Sequence, residues 1–190
     1  LGATGGFNVA IGFEAGKLIT TGQGNVAIGD EALKTNTIGN NNFALGKYAL
    51  ELATADKNVA VGGLAMAQTT TGEKNLGLGY FALNGNTTGF ENVAIGNVAM
   101  QLNVDGYRNI AIGCEALLSN SAGYGNIGFG QGALYSSTGD RNIVIGYQSG
   151  ASLTSGSRNI LVGSSITFPS NTGSNQMTIG NIIYATGVDG

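Results

Sequence analysis

Histidine and tryptophan are absent from this 190-residue chain, cysteine and proline occur once each, and only 10% of residues carry charge. Without histidine the usual general base at neutral pH is missing, as is any histidine-containing metal site. The lone Cys114 cannot close an intrachain disulfide, so cysteine usage leaves the redox compartment open. A formal charge of −3 gives no clustered basic surface of the kind nucleic acid requires. No run approaches the ~18 apolar residues of a membrane span. The opening LGATGG lacks an initiator Met and a basic-then-apolar leader, and so reads as an interior piece of a longer chain.

What is abundant is glycine, 34 residues, with 42% apolar residues beside it. That is too much glycine for a helical or doubly wound protein, and too apolar for disorder. No Gly-X-Y period marks collagen.

The glycines belong to a repeat. Anchoring on the Asn of NVAIG-like pentapeptides gives Asn8, Asn25, Asn42, Asn58, Asn75, Asn92, Asn109, Asn126, Asn142 and Asn159. The steps are 17 residues, except for two of 16, and one further step reaches Gln176 in the degenerate copy QMTIG. Counting from the anchor, position +4 is Gly in all eleven units, and −3 is Gly in all but one, where Ala55 stands. Glycine at a fixed corner implies a positive φ or a close backbone approach.

Positions +1 and +3 are large and apolar throughout, as in Val9 with Ile11, whereas +2 is Ala or Gly in eight of eleven units. Alternation puts +1 and +3 on one face. A second apolar pair follows at +7 and +8, for example Ala32-Leu33, before a Thr/Ser/Asn-rich stretch.

A 17-residue period is too short for helix-pair repeats and fits one turn of a parallel β-solenoid, with two or three short strands per coil and coils stacked ~4.8 Å apart. The expected fold is therefore all-β, with repeats over 1–163 and a degenerate last coil and exit segment over 164–190. Stacked anchors would form an Asn ladder. The +1/+3 face is expected inside. The small +2 face would then admit another backbone, which points to assembly with further copies, expected around a threefold axis.

The pattern Asn-φ-Ala-Ile-Gly-x-x-Ala-Leu, followed by Thr-Thr-Gly, resembles the head repeats of trimeric autotransporter adhesins of the YadA type, whose NSVAIG-like motif builds a trimeric left-handed β-roll. It is still more similar to repeats of bacteriophage tail fibres and tail spikes, and the likeness spans residues 5–163. The closing IGNIIYATG resembles the segment preceding the self-cleaving chaperone of some phage fibres, which implies that such a domain has been removed or truncated. The resemblance implies a homotrimeric fibre section, a structural shaft or receptor-binding part, on a virion tail and outside the cell. Its partners would be its own copies and a host-surface glycan or protein. The alternative is an adhesin head on a bacterial surface. A third reading, an ice-binding solenoid, rests on Thr at −4 (Thr4, Thr21, Thr54, Thr71, Thr88, Thr138, Thr172), but adjacent −5 and −4 side chains face opposite ways.

No cofactor is implied and no catalysis is expected. Glu14 and Glu31 share the +6 slot of successive coils, at a separation suited to a retaining glycosidase. That slot also holds Tyr48, Leu64 and Phe81, so it reads as a variable outer position. Cys114 occupies the equally variable +5 slot. The chain has no calcium-binding nonapeptide repeat, and GATGG at 2–6 lacks the lysine of a phosphate loop. Five of eight basic residues stand at −1 (Lys57, Lys74, Arg108, Arg141, Arg158), three of them preceded by an acid, as expected of a solvated corner that discourages lateral aggregation. Phe90, Tyr107 and Tyr124 fill −2 in three consecutive coils. They should form an exposed stack, a corner-stabilising ladder by packing and the candidate glycan contact by chemistry.

Overall fold

The structure is a computed structural model and is described here for residues 6–180. Thr4 and Gly5, most of the 2–6 segment, and the IIYATG exit segment lie outside the described residues. Eleven three-residue strands follow one another: β1 (Val9–Ile11), β2 (Val26–Ile28), β3 (Phe43–Leu45), β4 (Val59–Val61), β5 (Leu76–Leu78) and β6 (Val93–Ile95). Then come β7 (Ile110–Ile112), β8 (Ile127–Phe129), β9 (Ile143–Ile145), β10 (Ile160–Val162) and β11 (Met177–Ile179). They form one parallel sheet in chain order, with repeat-equivalent residues paired, such as Ala10 with Ala27. The chain is thus a β-solenoid of about ten turns, roughly 50 Å long at the parallel-strand spacing.

Only one side of each coil is a strand, against the two or three expected. The rest of the coil is a series of tight turns. Glu31 N donates back to Phe13 O (2.8 Å), whereas Leu33 N donates forward to Ala49 O (3.0 Å). Both residues have positive φ, 57° and 50°. Equivalent positions +6 and +8 repeat this in most coils, with Tyr48 and Leu50 at 58° and 51°. Each stands third in a turn, the place usually kept for Gly or Asn: Ala32 N closes on Gly29 O at 3.4 Å around Glu31, and Lys34 N on Glu31 O at 3.3 Å around Leu33. A left-handed residue costs ~1–2 kcal/mol. Here the conformation lets alternate N–H groups reach both neighbouring coils, so the turn walls are hydrogen-bonded as continuously as the strand wall.

The faces of the strand are inverted relative to the sequence expectation. Ala27, Ala44, Ala60, Ala94 and Ala111 at +2 are completely buried, whereas none of the +1 and +3 residues is. The lumen explains this. It is already filled by Ala and Leu or Met at +7 and +8 (Ala32, Leu33, Met66, Met100), and by a buried residue at +11. A coil this small has no room for two further branched rows, so the strand turns its small residue inward.

The inner slots also compensate one another. Where +8 is Gly16, Ile19 fills the space from +11, and a β-carbon on Gly16 would stand 2.9 Å from Ile19 Cδ1. Where +8 is Gly150, Val144 replaces the usual Ala at +2. At the far end Phe168 is buried and closes the core.

Glycine at +4 is enforced twice over. Gly12 has φ 131°, and a β-carbon there would lie 2.5 Å from Gly29 O. At −3 the reason is close approach alone, since a β-carbon on Gly123 would meet Gly139 O at 2.6 Å.

Candidate functional site

The anchor asparagines form a continuous internal ladder. Asn25 Oδ1 accepts from Asn42 N (2.9 Å) and from Asn42 Nδ2 (3.2 Å), while Asn25 Nδ2 donates to Gly39 O (2.8 Å). The same set recurs through Asn109 and Asn126 to Asn159, whose Oδ1 accepts from Gln176 N at 2.7 Å. From Asn25 to Asn159 these side chains are buried, and their bonding capacity is spent on the strand corner. Their work is structural.

A second ladder was not anticipated from the sequence. Asn36, Asn86, Asn103 and Asn120, all at +11, are fully buried. Asn103 Nδ2 donates to Asn86 Oδ1 (2.6 Å), and Asn120 Nδ2 to Asn103 Oδ1 (3.3 Å). Its signal is present, three Asn at steps of 17. Thr69 and Ser137 border this run, and among the described residues their buried hydroxyls have no hydrogen-bond partner.

Phe90, Tyr107 and Tyr124 do come together. Their rings are nearly parallel, at 6° and 5°, with centroids 4.8 and 5.0 Å apart. They are half-buried rather than exposed. Each inner ring face is covered by the next ring, and the Arg141 guanidinium lies 5.1 Å from the Tyr124 centroid. A pyranose therefore has no open face on Tyr107 to stack against. What the column presents outward is ring edges and phenol hydroxyls.

Glu14 and Glu31 are also neighbours, but Lys34 stands between them at 2.8 and 2.7 Å, and Lys17 closes on Glu14 at 2.5 Å. Hydrogen bonds from Lys17 and Lys34 hold the Glu14 carboxyl below its ordinary range, the reverse of what a proton donor needs. Hydrogen bonds to Glu14 and Glu31 in turn raise Lys34. Cys114 is half-buried and free. Among the described residues no cavity opens in the surface, no group of three or more metal-binding side chains forms, and no helix is long and apolar enough to cross a membrane.

Threonine hydroxyls are bound into the coil stack. Thr54, Thr70, Thr87 and Thr138 each donate to a backbone carbonyl of the next coil, as in Thr70 Oγ1 to Thr87 O at 3.0 Å. Of these, Thr54 and Thr138 stand at −4 and Thr70 and Thr87 at −5, whereas the −4 threonines Thr21, Thr71 and Thr88 are exposed.

The largest unsatisfied feature is apolar. The outer residues of every strand, from Val9 and Ile11 to Met177 and Ile179, form two adjacent columns along the whole rod. Ile11 is 59% exposed, Phe129 52% and Ile145 43%. An exposed apolar strip of this length is far larger than monomeric proteins ordinarily show. No family model, no curated protein and no solved structure matches the chain.

Proposed function

We propose that this chain is a section of a homotrimeric fibre of the phage-tail type, serving as a shaft or receptor-binding segment in attachment to a host surface. The observation that carries the reading is the outward column of Val, Ile, Leu and Phe at +1 and +3. A straight strip on a rigid rod is covered evenly when identical rods lie parallel around a common axis, each strip facing inward. Burial of apolar surface is then the driving force, at ~25 cal/mol per Å². The sequence argument for assembly rested on the small +2 residues. Those are internal, and the case now rests on the large residues beside them. The motif's resemblance to fibre and adhesin repeats supports the same arrangement and the placement outside the cell.

The deciding measurement is native mass by light scattering at micromolar concentration. Three times the 19.1 kDa chain mass is expected. A single-chain mass overturns the assembly and the attachment reading built on it.

A further inference from the structure

The basic side chains are not treated alike. Lys17 and Lys34 are paired with Glu14 and Glu31, Lys47 with Asp30, Lys74 with Glu73, and Arg108 with Glu91. Arg141 and Arg158, in consecutive coils of the −1 column, have no carboxylate within ion-pair distance among the described residues. Lys57 is the other unpaired base, five coils before Arg141, and its neighbour on the next rung, Lys74, is paired with Glu73. Like charges on adjacent rungs of a parallel stack repel, and where bases neighbour elsewhere, as Lys17 with Lys34 or Lys57 with Lys74, at least one is paired with a carboxylate. The one nearby acid, Asp140, turns its Oδ1 to the Tyr124 backbone N–H (3.1 Å).

Geometry joins this pair to the aromatic column. The −1 residue of the preceding coil is Gly125, and the Arg141 stem lies across it, 3.5 Å from where a β-carbon would stand. The guanidinium thereby reaches the Tyr124 ring. Tyr107 and Tyr124 offer hydroxyls with no protein partner among the described residues. The resulting strip is one of donors: two guanidinium forks, which match carboxylates bidentately, beside two phenols suited to sugar hydroxyls.

We propose that Arg141, Arg158, Tyr107 and Tyr124 form a binding strip for a carboxylate-bearing polysaccharide. The proposal rests on the attachment reading and names the chemistry of what is attached to. An extended acidic polymer meets it as a repeating ligand on a repeating surface, its carboxylate placed between two cations that otherwise oppose each other.

The test is calorimetric titration of the 190-residue chain with oligogalacturonate, and with the same oligomer after its carboxyl groups are reduced to alcohols. Binding of the acidic oligomer, weakened by added salt and absent for the neutral one, is expected. Arg141→Ala/Arg158→Ala should weaken it by about tenfold or more, as for loss of charged hydrogen bonds. Arg108→Ala, which removes a base already committed to Glu91, should change it far less, and unchanged circular-dichroism melting confirms that the variants fold. Equal affinity for both oligomers, no affinity for the acidic one, or indifference to the double substitution overturns the strip. A three-chain mass alongside any of those results leaves the attachment reading standing, and a single-chain mass removes that reading by itself.

Discussion

The side chain of Met66 occupies the space that a side chain at Gly77 would fill. A β-carbon on Gly77 would stand 2.9 Å from Met66 Cγ and 3.1 Å from its sulfur. Gly77 is at +2, where neighbouring coils carry Ala, so the repeat-consensus substitution Gly77→Ala should destabilise the rod. Overpacking of this kind costs ~1–3 kcal/mol. Met66→Ala in the same chain should relieve part of the cost, a non-additive result read from urea midpoints. Simple additivity of the two substitutions would refute the complementarity.

Removing one rung of the anchor ladder should be among the most damaging single changes. Asn109 Oδ1 accepts from Asn126 N (2.9 Å), and its Nδ2 donates to Gly123 O (2.7 Å). Asn109→Ala leaves the Asn126 N–H buried without a partner, at ~1–3 kcal/mol, and leaves Gly123 O with Asn120 Nδ2 alone (3.0 Å). Asn171→Ala at an exposed position, where only Ser152 Oγ is engaged, should stay within about 0.5 kcal/mol. Parallel thermal melts compare the two.

The outer apolar column should control assembly and not coil formation. Ile95→Glu places a charge at a half-buried outer position, next to Leu78 and Ile112 on the paired strands. Light scattering should show the mass falling from three chains toward one while far-ultraviolet circular dichroism is retained. Loss of both signals together would mean that the column stabilises the single coil instead.

Acidification should loosen the first two coils. Lys17 and Lys34 depress Glu14 below its unperturbed 4.5. A carboxyl with a lowered folded-state pKa stabilises the fold above the unfolded value and loses that contribution as pH falls through the folded one. Amide-exchange protection of Gly16, Leu18 and Leu33 should therefore decline below about pH 4.5 relative to later coils. Because the pair is exposed the effect is small. Lys34→Gln should flatten the dependence.

The coil was readable from the sequence because its register is written in residues with a single use: Gly at +4, where only glycine fits, and Asn at the anchor. What could not be read was the sense of the strand. Alternation groups Val93 with Ile95 and sets Ala94 apart, but it does not say which side faces inward. The lumen is small because Leu83 and Met100 project into it from left-handed backbone, φ 52° and 50°, which no propensity assigns to Leu or Met. The second ladder escaped because its slot also holds Ala53, Thr69, Ser137 and Leu153, so Asn86, Asn103 and Asn120 read as chance polar residues. The aromatic column was foreseeable from spacing, but the coverage of its ring faces was not.

The two 16-residue coils lose their residue at the exposed Thr-Thr-Gly corner. In long coils Thr70 N, Thr71 N and Gly72 N all converge on Thr87 O, whereas in the short one only Thr54 N meets Thr70 O. Strand pairing passes through undisturbed, with Phe43 opposite Val59 and Ile127 opposite Ile143. Coil length and surface position are therefore decoupled. An insertion or deletion at this corner leaves every column of the rod in line, so an outer pattern spelled over many coils survives local changes in chain length.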